Sequence, residues 1–158
     1  MKNIIKILLL SFLLSLSTGC GFQVVKQKNF GGFSIKEVNM YGNKRINFKI
    51  RNNLLINSSK NSKNLLIVNI ESKKVKSIKE KNIKNQITKY KILIKSKIKF
   101  KVLPGVKNYE INVAPSADYQ VGKNYSNTLS SEKKAIDNLV TKISKIILDE
   151  ISLKLDDL

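Results

Sequence analysis

Tyr90-Lys91-Ile92-Leu93-Ile94-Lys95-Ser96-Lys97-Ile98-Lys99-Phe100-Lys101-Val102-Leu103 is the stretch that decides the fold. Tyr90, Ile92, Ile94, Ile98, Phe100 and Val102 share one face, interrupted only by Ser96, while Lys91, Lys95, Lys97, Lys99 and Lys101 share the other. Side chains alternate across a strand, so this period of two predicts a half-buried antiparallel strand with one face in a core. Pro104-Gly105 then makes a turn. Tyr109, Ile111 and Val113 begin another strand. Pro115 lacks an N–H and restricts that strand to an edge or a bulge, with Tyr119 and Val121 expected to continue it.

Upstream, Lys79–Gln86 is polar and predicts a hairpin turn. Before it, Leu65–Ile70 is an unbroken apolar run of strand length, extended by Val75 and Ile78. Its apolar residues fall on both faces. That suits either a central strand covered on both sides by the protein's own helices or a surface for a partner. Ile46, Ile50 and Leu54 recur every four residues behind Asn43, which predicts a capped helix ended by the polar run Asn57–Asn64. Phe33–Met40 has strand composition, with a bulge expected near Glu37.

At the other end, Ile136, Val140, Ile143, Ile147 and Ile151 form a stripe at helical spacing, predicting a long amphipathic helix over about Ser130–Leu155. Thr128 or Ser130 is the expected cap, with Glu132 in the first turn. The order β-α-β-β-β-α predicts an α+β two-layer sandwich over residues 33–158. Its four-stranded mixed sheet would carry two helices packed on it.

The start of the chain reads differently. Lys2 and Lys6 precede the apolar stretch Ile7–Leu16, and Ser17-Thr18-Gly19 brings small residues up to Cys20. This is the layout of an export signal over residues 1–19, and the apolar run is short for a membrane span. Leu16-Ser17-Thr18-Gly19-Cys20 resembles the lipobox of bacterial lipoproteins, with Ser17 where leucine is usual. The resemblance implies a diacylglyceryl group on the Cys20 thiol and cleavage just before it. A retained membrane anchor, or an exported chain with a free thiol, are the alternatives. Two or three acyl chains would hold the protein stably on a membrane. Gly21 rather than aspartate follows Cys20. By resemblance to lipoprotein sorting, this implies the periplasmic face of the outer membrane. Residues 20–32, with Gly31-Gly32, read as a lipidated tether.

The 158 residues hold 30 Lys+Arg against 11 Asp+Glu, a formal charge of +19. Such a field favours anionic partners. The excess is almost all lysine, alongside abundant asparagine and isoleucine, a bias that an AT-rich genome produces unselected. Only lysines gathered by the fold would make a site. Cys20 is the one cysteine and histidine is absent. Once Cys20 is acylated, no Cys/His metal set and no Cys–His or Ser–His catalytic pair can be built, and no cofactor is expected beyond that covalent lipid. Asp118, Glu132 and Asp137 stand at no spacing that argues catalysis, so an enzyme is not expected. Charge alone would suit nucleic acid, with Tyr90, Tyr109, Tyr119 and Tyr125 to stack bases. However, Tyr90 and Tyr109 lie on apolar faces, and the export signal takes the chain away from nucleic acid.

Cys20-Gly21-Phe22, the strand Lys89-Tyr90-Lys91-Ile92-Leu93-Ile94, the run Asn124–Glu132 into the last helix and the element order together resemble the LptE family of outer-membrane lipopolysaccharide-assembly lipoproteins. The resemblance implies a non-enzymatic protein that binds lipopolysaccharide and plugs the β-barrel LptD. A generic envelope lipoprotein with another anionic partner is the alternative. If the last three strands form a meander, the turn at Lys79–Gln86, the loop after Val121 and the start of the last helix share one pole. That pole would gather Lys81, Lys84 and Lys133, the expected lipopolysaccharide contacts. The N–H groups of the helix would point the same way, and the lipid would lie at the opposite pole. The row Lys91–Lys101 is the second candidate, against a plain solvated face.

Overall fold

The computed structural model describes residues 32–60, 62–105 and 107–156. Strand β1 spans Ser34–Gly42, helix α1 Lys44–Asn57, β2 Leu65–Lys81, β3 Ile87–Leu103, β4 Asn108–Val113, β5 Ser116–Gln120 and helix α2 Tyr125–Asp156. The architecture is α+β, a mixed sheet with two helices packed on it. Its order is β1-β2-β3-β4, with β5 also pairing with β3.

The sheet has five strands rather than four because the expected last strand breaks at Ala114-Pro115. Proline cannot donate to a ladder. Instead its carbonyl accepts from the Ile94 N–H, and β4 and β5 pair in turn with the same edge of β3. Val121 lies beyond β5, its N–H bonded to the Thr88 carbonyl. β1 runs parallel to β2 through α1, and its register slips between Ile35 and Glu37, where the bulge is expected. β2 and β3 pair antiparallel as 17-residue strands, so the turn is shorter and the hairpin longer than the polar composition of Lys79–Gln86 suggests. β1 leaves β2 at Ser72, and the distal hairpin projects past it.

Leu66, Val68 and Ile70 of β2 and Ile92, Ile94, Ile98 and Phe100 of β3 are buried with Ile46, Ile50 and Leu54 of α1 and Leu139, Ile143, Ile147 and Ile151 of α2. These strand residues all lie on one face, so both helices cover the same side of the sheet. Among the described residues the other face carries no helix. Leu65 and Ile67 point to it, which rules out the reading of β2 as a strand covered on both sides by its own helices. Asn43 caps α1 by accepting from the Ile46 N–H. α2 begins five residues earlier than expected, because Asn124 accepts from the Asn127 and Thr128 N–H groups and serves as its cap. Thr128, Ser130 and Glu132 therefore lie inside the helix, and its first turn holds no acidic residue. No helix among the described residues is long and apolar enough to cross a membrane. Residues 1–31, with the expected signal, Cys20 and most of the tether, lie outside the described residues.

Candidate functional site: the open lysine face

The uncovered face is built by the alternation that buries the other. With Ile92, Ile94, Ile98 and Phe100 inward, the pleat turns Lys91, Lys95, Lys97, Lys99 and Lys101 outward along the central strand β3. The register sets their neighbours: Lys101 faces Ile67, Lys99 faces Asn69, Lys97 faces Glu71 and Lys95 faces Lys73 on β2. On β4, Glu110 meets Lys97 at 3.1 Å and Lys99 at 3.7 Å. Its carboxyl is held below the usual range by the Asn112 amide and by Lys97. Lys91 stands opposite Asp118 on β5, while Lys95, Lys101 and Lys73 have no ion pair among the described residues.

Like charges directly opposite in a sheet are destabilising, so the Lys73–Lys95 pair is a local cost that a bound anion would remove. Two shallow hollows sit on this face. One, of about 510 Å³, is lined by Ile67, Asn69, Lys99, Lys101 and Glu110. The second, of about 320 Å³, is lined by Tyr41, Asn69, Glu71, Lys97 and Lys99. They share Asn69 and Lys99 and so lie side by side, with Lys97, Lys99 and Lys101 among their walls.

The expected trio at the hairpin pole is not brought together. Lys81 donates to the Asn85 side chain within the turn, and Lys84 is held through its backbone N–H by Asn82. Lys133 is the ninth residue of α2, in its third turn, because the helix starts at Tyr125. Its neighbour Glu132 meets Lys76, and Lys81 stands five residues farther along β2, about 16 Å at strand spacing. The meander and the poles are as expected: β1 starts at the end away from the hairpin, and the loop after β5 returns to Thr88. The hairpin's length, set by β2 and β3 continuing to Lys81 and from Ile87, separates the lysines.

The other polar groups considered from the sequence sit in the scaffold. Glu132 accepts from Lys74, Lys76 and the Tyr119 hydroxyl, each at 2.9 Å. Burial would raise its pKa, but these three donors outweigh burial and hold it at about 2. Burial would lower that of Lys76, but Tyr119 and Glu132 outweigh it and raise it to about 12. Asp118 lies 3.7 Å from Lys79, and Asp137 pairs with Lys49. Tyr90 stacks on Tyr119 and Tyr109 on Phe100, while Tyr125 is exposed. Among the described residues no three His, Cys, Asp or Glu side chains gather in a metal-ligating group.

No family model matches the chain, and no curated protein matches it in sequence. Solved structures do match its fold. Rare lipoprotein B from Shewanella oneidensis superposes with a TM-score of 0.59 at 11% identity, over 77% of this chain and 97% of that one. A candidate lipoprotein from Caulobacter crescentus gives a TM-score of 0.57 at 8% identity, over 76% of this chain and 90% of that one. The fold is thus one that bacterial lipoproteins adopt.

Proposed function

We propose that this chain is a lipoprotein anchored through Cys20 at the periplasmic face of the outer membrane. There it assists lipopolysaccharide assembly by binding lipopolysaccharide and engaging a β-barrel of the LptD kind. It acts by binding, not by catalysis. The observation that carries this reading is the open sheet face, on which β3 displays five lysines and Lys73 stands directly opposite Lys95 with no carboxylate between them. Phosphate groups of lipopolysaccharide match that row in sign and in repetition. Three further features support the reading: the lipobox-like run ending at Cys20, the resemblance to the LptE family, and a fold shared with lipoproteins.

The anion site in this reading lies on the open face and not at Lys81, Lys84 and Lys133. The uncovered face also leaves Leu65 and Ile67 turned outward, apolar area available to a partner wall. The test is affinity capture of the full chain from detergent-solubilised outer membranes. Recovery of a large β-barrel with lipopolysaccharide is the expected result. Recovery of neither would overturn the reading in favour of an envelope lipoprotein with a different anionic partner.

A further inference from the structure

The two helices meet along a seam of polar rungs on the side of the sheet away from the lysine face. Asn53 of α1 donates to Ser144 of α2 over 3.1 Å. Toward the N-terminal end of both helices, Lys49 pairs with Asp137. Both pairs step the same way along each helix, so the helices run in the same direction here. One turn before Lys49 stands Arg45, and one turn before Asp137 stands Lys133. Arg45 and Lys133 both border the cleft between the two helices, so two cations share that space. Both side chains are exposed and have no ion pair or hydrogen bond among the described residues.

The cleft is also lined by Glu132 and Asp137, but among the described residues both carboxylates are engaged by other groups. Asp137 is engaged by Lys49, and Glu132 by Lys74, Lys76 and Tyr119. The first turn of α1 holds no acidic residue, and Asn43 at its cap lines the same space, so the positive end of the helix dipole adds to the field. Arg45 and Lys133 border a cleft of about 540 Å³ whose walls also include Ile46, Leu129 and Ile136. Leu129 is 52% exposed at its rim.

We propose that this cleft binds a phosphate group between Arg45 and Lys133, with a hydrocarbon portion of the same ligand against Leu129 and Ile136. A phosphate suits these two cations better than a carboxylate. It carries enough charge for two cations, and its oxygens accept the arginine fork and the lysine ammonium together. The site lies on the helix side of the sheet and stands whether or not the open face binds lipopolysaccharide.

The test uses the full chain carrying Cys20→Ala, so that no attached lipid competes, titrated with octyl phosphate or inorganic phosphate and followed by calorimetry and amide chemical shifts. Saturable binding that moves the Arg45, Leu129 and Lys133 signals is expected. Arg45→Glu with Lys133→Glu should weaken it about tenfold or more, the scale of a lost charged contact. Lys95→Glu, Lys97→Glu and Lys99→Glu together remove any binding at the open face and should leave the shifts of the Arg45, Leu129 and Lys133 signals in place, which separates the two sites. Tighter binding of octyl phosphate identifies a lipid-like ligand, and equal binding identifies free phosphate. The first result is the one expected; the second keeps the phosphate contact and overturns the hydrocarbon one. No binding by either probe, or binding indifferent to the Arg45 and Lys133 changes, overturns the site. Should the double reversal unfold the chain, Arg45→Gln with Lys133→Gln gives the same reading with less perturbation.

Discussion

Tyr119 of β5 donates its hydroxyl hydrogen to Glu132 of α2 over 2.9 Å, and the same carboxylate receives Lys74 and Lys76 from β2. One side chain thus joins the base of the hairpin, the edge strand and the helix. The ammonium of Lys76 also lies 4.2 Å from the centre of the Tyr90 ring, which stacks on Tyr119.

The Glu132 carboxyl is held at about 2 against an ordinary 4.5, so its contribution to stability is complete above 4.5 and is lost as pH falls toward 2. Each unit is worth about 1.4 kcal/mol, and solvent at the partly exposed lysines reduces the sum to about 2 kcal/mol. Glu132→Gln should therefore be less stable than the parent near neutral pH. The gap should close as pH falls through that window. Urea unfolding across the range measures it, and a gap that stays constant would show that the carboxylate's charge does not matter here.

Gly42 ends β1 with φ +80°, and a Cβ placed there would lie 2.4 Å from the Ser72 carbonyl oxygen. That oxygen already accepts from the Asn43 N–H at 2.8 Å, so the backbone has no room to retreat. Gly42→Ala should cost about 2 kcal/mol, in the range of a strained left-handed residue. Gly32→Ala, with nothing within 4 Å of its Cβ, is the control and should be neutral. Equal denaturation midpoints for the two variants would contradict the close approach.

Much of this fold is written locally. The period of two in Tyr90–Leu103 gave β3 with its faces correct, and the spacing of Ile46, Ile50 and Leu54 gave α1 with its cap. The start of α2 was hidden because Thr128 and Ser130 are good caps by type, and only the hydrogen bonds of Asn124 show which polar residue holds the helix. The split at Pro115 was legible as a restriction but not as two strands sharing one edge, which depends on the length of β3. The site was legible in kind but not in place. The sequence names the lysines, but which of them come together depends on the length of the hairpin and on both helices packing against one face. The pairing of Arg45 with Lys133 at one cleft has no local signal, since the two are 88 residues apart and share that space only through helix packing.

Ser72 and Ser96 face each other in the core at 2.9 Å between hydroxyl oxygens, each nearly fully buried. Removing one hydroxyl leaves the other buried without its partner, so Ser72→Ala or Ser96→Ala alone should cost about 1 kcal/mol. Removing both leaves nothing unsatisfied, and the double variant should lose less than the sum of the singles. A double-mutant cycle by urea denaturation reads this directly. Strict additivity would mean that the two hydroxyls do not depend on each other.

Anchoring can be checked apart from binding. Cys20→Ala should release the chain from the membrane fraction or leave it unprocessed, since no thiol remains to carry acyl chains. Fractionation with mass spectrometry of the mature N-terminus decides the matter. An unmodified Cys20 thiol on the parent protein would remove the lipid anchor from the proposed function.

The lysine row carries the sharpest prediction. Alternate residues of a strand lie about 7 Å apart, within the ~8 Å screening length of physiological salt, so Lys95, Lys97 and Lys99 act as one field. Glu110 offsets part of Lys97 and Lys99, while Lys95 faces Lys73 with no offset. Reversing all three to glutamate should weaken lipopolysaccharide binding by about tenfold or more and flatten its salt dependence. A glutamate at position 95 would face Lys73 and replace a repulsive pair with an attractive one, whereas glutamates at 97 and 99 would face Glu71 and Glu110, so the triple should also lose some stability and Lys95→Glu alone should not. A melting curve on the same sample separates lost binding from lost folding. Reversing Lys81, Lys84 and Lys133 should have a smaller effect, since the hairpin's length keeps Lys133 apart from the other two. Should that second triple abolish binding while the first leaves it intact, the open face is only a solvated surface, and the pair Lys81→Glu with Lys84→Glu then tells the hairpin pole from the cleft that Lys133 borders.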